Sequence, residues 1–178
     1  MSDLLVRPAV PAEFPAIARL TVAAYQDAGQ LDGAQTYART LADVAGRAGA
    51  GELLVAVDPD TGEVVGSVVF VLAGTRLAEI SADGEAEFRM LAVDPSAQGR
   101  GVGETLVRAC VDRAVERRLS AVVICVRDFV VNAQRLYARL GFVRVPERDW
   151  SPAPDVRLLA LRLDLATVAT DPVTVVGP

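Results

Sequence analysis

Apolar residues recur along this chain in two periods, and the switches between them divide it into elements. Leu4 to Arg7 is a short apolar stretch ended by Pro8, which predicts a first strand. From Pro15 onward, Phe14, Ile17, Ala18, Thr21, Ala24 and Tyr25 fall at helical spacing, predicting a helix to about Asp27 with proline tolerated in its first turn. Gly29 to Gly33 break it, and the alanine-rich Ala34 to Ala48 predicts a second helix with Leu41 and Val44 on one face. Glu52 to Val57 and Glu63 to Leu72 are strand runs on either side of Asp58-Pro59-Asp60-Thr61-Gly62, a strong turn. Gly74 to Gly84 is a loop carrying Glu79 and Asp83, read either as an acidic cover over a site or as a solvated connection.

The stretch from Ala86 to Thr105 organises the rest. Glu87 to Val93 predicts a strand whose alternation places Glu87, Arg89, Leu91 and Val93 on one side and Phe88, Met90 and Ala92 on the other. It stops at Asp94-Pro95, passes through a glycine-rich turn and opens into a helix from about Gly103 to Arg118. Ala121 to Val126 is a continuous apolar run of strand length, as expected of a strand covered on both faces. Strand, helix, strand in this order predicts a parallel or mixed sheet segment. Val131 to Leu140 predicts another helix, capped by Gly141, and Val143 to Val145 with Val156 to Leu165 a closing strand pair around an irregular loop, Pro146 to Pro154.

Composition narrows the chemistry. With 178 residues, 52% of them hydrophobic, the chain is expected to form one domain over 1–165, with 166–178 a C-terminal tail or an added edge strand. A net charge of −5 argues against affinity for nucleic acid or an anionic membrane, so neither is expected as a partner. No apolar run of about 18 residues and no signal-like N-terminus is visible, which predicts a soluble cytoplasmic protein. Histidine is absent, which removes Ser-His-Asp and Cys-His nucleophiles and histidine-containing metal sites, and no metal is expected. All 18 basic residues are arginine, so there is neither a Schiff-base lysine nor a phosphate-loop lysine. Cys110 and Cys125 sit among apolar neighbours and read as buried thiols rather than a disulfide.

Gln98-Gly99-Arg100-Gly101-Val102-Gly103 lacks the third glycine of a dinucleotide fingerprint, since Glu104 stands in its place. It does fit Gln/Arg-x-x-Gly-x-Gly/Ala at Gln98, Gly101 and Gly103, behind a strand and an Asp-Pro. This resembles motif A of the GCN5-related N-acetyltransferase (GNAT) superfamily. Arg135 to Phe142, R-L-Y-A-R-L-G-F, is similar to its second signature helix, and the element order matches over about Leu4 to Leu165. The resemblance implies an α/β (α+β) fold: a central mixed, mostly antiparallel twisted sheet of about seven strands flanked by about four helices.

It also implies an acyl-CoA-dependent N-acyltransferase, most simply acetyl transfer from acetyl-CoA to a primary amine of a small molecule or peptide. The pyrophosphate would lie on Gln98, Gly99, Arg100, Gly101, Val102 and Gly103, and the pantetheine arm beside Leu91, Ala92 and Val93. Glycines let the backbone approach phosphates, and the following helix presents its positive end. Tyr137 takes the family's acid position, with a core aromatic as the alternative; Glu87 aligns with a strand glutamate that serves as base in histone-acetylating members, with a plain strand glutamate as the alternative. An asparagine often found seven residues before the tyrosine is here Val130, and Asn132 is the candidate substitute. Tyr25, Glu79 and Trp150, together with Asp27, Asp83, Glu147 and Asp149, are candidates to line an acceptor site suited to a cationic amine. Two other classes fit the same residues: a CoA-binding module without turnover, and an interaction domain using the fold as scaffold. A homodimer is compatible with either.

Overall fold

The computed structural model describes residues 3–166, and the reading of 167–178 as a tail or edge strand lies outside the described residues. Strand β1 is Leu5–Pro8, followed by helix α1, Phe14–Asp27, with Pro15 in its first turn. Where one second helix is expected there are two, α2 (Gln35–Ala42) and α3 (Val44–Ala48). Asp43 divides them because its side chain accepts from the Gly46 amide at 3.0 Å, capping the second piece. Strands β2 (Glu52–Val57) and β3 (Val64–Leu72) form the expected hairpin, and β4 is Glu85–Val93. Helix α4 (Val102–Glu116), strand β5 (Ala121–Arg127) and helix α5 (Val131–Arg139) follow, then β6 (Val143–Arg144), β7 (Trp150–Ala153) and β8 (Val156–Asp164). The segment expected as irregular thus holds β7, which pairs with β8.

The eight strands form one mixed sheet in the order β1-β2-β3-β4-β5-β8-β6, with β7 also on β8. Every pairing is antiparallel except that of β4 with β5, the pair joined through α4. One face of the sheet packs α4 and α5 through Leu106, Val107, Cys110 and Tyr137 against Ala86, Phe88, Val122 and Ile124. The opposite face packs Ile17 of α1 and Val44 of α3 on Val55 and Val69, and Leu41 of α2 on Met90.

The side-chain alternation expected of the central strand breaks at Met90. Ser67 of β3 pairs with Ala92 and Val69 with Arg89, so Met90 and Leu91 together face the single residue Val68. This is a β-bulge, and Met90 adopts a left-handed φ of 54° to make it. The extra residue turns the rest of the strand over: Leu91 and Val93 join Phe88 on the α4 side, while Met90 packs with Leu31 and Leu41. The bulge also coincides with the end of the β4–β5 pairing. Only Glu85–Glu87 meet Ala121–Val123; beyond that point β4 stays on β3, β5 stays on β8, and the two strands part.

A β-branched side chain is strongly disfavoured at positive φ. Met90→Val is therefore expected to cost about 1–3 kcal/mol more than the near-isosteric Met90→Leu, read from urea unfolding midpoints. Equal costs would mean that the bulge carries no conformational selectivity.

Candidate active site

The gap between the parted strands opens into a cavity of about 570 Å³. Its walls are Phe88–Leu91 of β4, Cys125–Arg127 of β5, Tyr137 of α5, Tyr25 and Tyr37 from α1 and α2, and Pro152–Ala153 of β7. Both faces of the sheet thus contribute, because the sheet is open between its two central strands.

Tyr137 is 6% exposed and lies in a cluster of three aromatic rings, 5.9 Å from Phe88 and 5.8 Å from Phe142 between centroids. That packing fixes the ring, while the residue lines the cavity and its hydroxyl has no hydrogen bond to any described residue. Burial raises its pKa well above the usual tyrosine value, with Cys110 adding to the shift, so the group stays protonated at neutral pH. Cys125, also in the wall, is pushed up to about 12 by desolvation, against which the Trp150 indole acts. It is a thiol at neutral pH and a poor nucleophile. Neither cysteine is in a disulfide; Cys110 is buried under α4 and Cys125 is only partly covered.

Glu87 does not line the cavity. It is fully buried, and its Oε2 accepts from the amides of Glu79 (2.9 Å), Ile80 (3.2 Å) and Ser81 (3.2 Å) and from the Ser81 hydroxyl (3.1 Å). Its Oε1 is buried without a partner among the described residues. Arg89, two residues on, donates to the Leu77 carbonyl at 3.1 Å and pairs with Glu79 at 2.5 Å. The two side chains pin the loop before β4 onto the sheet; Asp83 of that loop does not line the cavity. The carboxylate the loop presents to the cavity is that of Glu79. Desolvation raises the pKa of Glu79, with Arg89 opposing and Glu87 adding. Desolvation likewise raises Tyr25 and Tyr37, whose rings meet edge-on at 6.0 Å.

The glycine turn leads away from the same end of β4. The Asp94 side chain accepts from the Ser96 amide at 2.9 Å and its hydroxyl at 2.6 Å, which stops the strand. Gly101 takes φ 79° as N-cap of α4, and no side chain caps that helix start. The amides of Val102, Gly103 and Glu104 are therefore free of intrahelical acceptors. A side chain at Gly103 would come within 3.3 Å of Leu136 and 3.6 Å of Val93, so α4, α5 and β4 meet closely there. Gln98 reaches Asp27 at the end of α1, at 3.2 Å. Arg100 is engaged by Asp58 at 2.6 Å, which holds that carboxyl below the usual range.

Of the other expected residues, Leu91 and Tyr25 line the cavity with Glu79, whereas Ala92 is buried opposite Ser67, toward α1. Trp150 does not line it, although its strand neighbours Pro152 and Ala153 do. Asn132 is exposed at the start of α5 and makes no hydrogen bond to a described residue; Gln134 donates instead to the carbonyls of Arg127 (3.2 Å) and Asp128 (2.9 Å), joining β5 to α5. Asp149 is occupied by Arg144 at 2.7 Å and the Ala160 amide at 2.8 Å. Sequence reasoning missed Arg89, Arg127, Cys125 and Tyr37. No signal in the sequence marked them: Cys125–Arg127 lie at the end of an apolar run, and the parting of its partner strand arises from tertiary pairing. Among the described residues no group of three or more Cys, Asp or Glu is placed to hold a metal ion, and no helix is long and apolar enough to cross a membrane.

Replacing Glu87 with alanine leaves the half-buried amides of Glu79, Ile80 and Ser81 without this acceptor, a loss of about 3 kcal/mol. The expected signature is faster hydrogen exchange at the amides of Glu79, Ile80 and Ser81 than at the β4–β5 ladder. Uniform acceleration throughout would show that Glu87 does not clamp this loop.

A family model described as acetyltransferase (GNAT) family matches residues 15–142. Among solved structures, a histone acetyltransferase HPA2 and related acetyltransferase from Corynebacterium glutamicum matches at 27% identity and a TM-score of 0.70, covering 93% of this chain and 98% of that one. A GCN5-related N-acetyltransferase from Kribbella flavida matches at 26% identity and 0.66, covering 91% and 98%. An acetyltransferase of the GNAT family from Staphylococcus aureus Mu50 shares the fold at 12% identity and 0.70, covering 92% and 100%. No curated protein sequence matches the chain.

Proposed function

The chain belongs to the acetyltransferase (GNAT) family, and from that premise we propose that it is an acyl-CoA-dependent N-acyltransferase moving acetyl from acetyl-CoA to a primary amine of a small molecule or peptide. The observation that carries this reading is the cavity between the parted strands, which has a protonated tyrosine and a desolvated glutamate in its walls. The residues suit the donor. Arg89–Val93 of β4 have no strand partner on the β5 side, so their backbone groups are available to the amide-bearing pantetheine arm, much as to an added strand. The uncapped α4 terminus, reached through Gly99 and Gly101 at positive φ, suits the pyrophosphate.

Acyl-CoA, when bound, supplies a thioester carbonyl and a sulfur leaving group. Glu79 takes a proton from the acceptor ammonium, directly or through one water, freeing the nitrogen lone pair. The new C–N bond forms as the C–S bond breaks; Tyr137 supplies the proton that neutralises the departing sulfur and recovers one from the acylated nitrogen, which sheds it to become the neutral amide. Transfer is direct: there is no histidine, and Cys125 is held as a thiol, so no side chain in the wall is an activated nucleophile. Glu87 serves by fixing the loop that carries Glu79.

The test is CoA release from acetyl-CoA over a panel of amines. Tyr137→Phe is expected to lower kcat about tenfold or more with acetyl-CoA affinity unchanged; unaltered kcat removes Tyr137 from the mechanism. Glu79 acts deprotonated and its pKa is raised, so activity should climb with pH through a limb lying above the ordinary glutamate value of about 4.3. Glu79→Gln should abolish that limb. Its persistence in the variant would assign the base elsewhere.

A further inference from the structure

The acceptor end of the cavity carries more positive charge than a site for a simple cationic amine should. Of its two wall arginines, Arg89 is neutralised by Glu79 at 2.5 Å. Arg127 has no carboxylate partner among the described residues. Its guanidinium lies 4.9 Å over the Phe129 ring, Nη2 makes one long contact of 3.4 Å to the Asp155 carbonyl, and Nε is buried with no partner. A second guanidinium outside any ion pair, with Asp43 acting on it at longer range, stands behind the wall. Arg47 is 2% exposed, donates only to the Leu41 carbonyl at 2.8 Å, leaves Nε and Nη1 without partners, and lies within electrostatic reach of the wall residues Tyr25 and Tyr37. The wall residues include two arginines and one glutamate, and stacking on Phe129 restrains the Arg127 guanidinium, of which only Nη2 has a hydrogen-bond partner among the described residues.

The geometry points to an acceptor that carries a carboxylate as well as its amine, an amino acid or short peptide, with Arg127 seating the carboxylate and the amine turned toward Glu79 and Tyr137. The inference rests on the acyltransferase reading above. It narrows the expectation of a purely cationic amine, because Arg89 balances the charge of Glu79 and leaves Arg127 without a carboxylate partner among the described residues. A bidentate guanidinium–carboxylate pair in a partly desolvated cavity provides both affinity and orientation, and the cavity volume suits a small molecule.

Calorimetry on the CoA-saturated protein with N-acetyl amino acids and their N-acetyl carboxamides separates the two classes of acceptor product. In parallel, CoA release is followed with amino acids against the matched amides and decarboxylated amines. The carboxylate forms are expected to bind, and their parent amines to react, at least about tenfold better, the scale of one charge-assisted hydrogen bond. Arg127→Gln should erase the preference and Arg127→Lys keep part of it, with acetyl-CoA affinity the same in both variants as a check on folding. Equal or tighter binding of the amides, a preference that survives Arg127→Gln, or no binding of either probe at millimolar concentration overturns the inference while leaving the acyltransferase reading intact. Failure of the unaltered protein to bind acetyl-CoA overturns both.

Discussion

The parting of β4 from β5 is the constraint on which the rest of the structure depends. A parallel pair buried on both faces ordinarily runs its full length, since each unpaired backbone group in an interior costs free energy. Here the ladder ends after Glu87 and Val123, and the strands are held apart by what each prefers on its other side. The bulge at Met90 bends β4 along β3; the long antiparallel register with β8 keeps β5 straight. The resulting wedge is the cavity, and along it Arg89–Val93 have no strand partner on the β5 side.

Everything around the wedge is arranged to keep it open and shaped. On the α4 side, the Phe88, Tyr137 and Phe142 rings fill the vertex and leave one hydroxyl facing in. On the other side, the bulge places Met90 against Leu31 and Leu41, so α1 and α2 are seated by the same backbone irregularity that ends the ladder. Glu87 and Arg89 fold the preceding loop over the mouth. A fully buried carboxylate thereby decides where a second carboxylate, eight residues earlier in the chain, comes to rest.

Apart from the split of the second helix and strand β7, the element order was legible, as were the strand-helix-strand unit and the glycine turn, because hydrophobic period and turn chemistry are local properties. The wedge was not. A bulge inserts one residue with no compositional mark, and methionine at positive φ gives no warning; strict alternation therefore placed Leu91 and Val93 on Arg89's side. The same limit applies to Glu87, whose strand position is plain but whose partners come from a loop folded back by tertiary contacts. Arg127 looked like an ordinary strand end because its significance lies in what fails to approach it. Tyr137 was singled out by the family pattern, and Tyr25 and Glu79 by their aromatic and acidic character beside the central strand; all three line the cavity.

Every ion pair among the described residues takes its cation from arginine, from Arg7 at the first strand to Arg162 on β8. A guanidinium stays protonated and does not attack a thioester, and the lysine that would do so is missing from the whole chain. Both thiols are held protonated by burial. A protein of a family that handles activated acyl groups thus carries no lysine for them to acylate and keeps both of its thiols protonated.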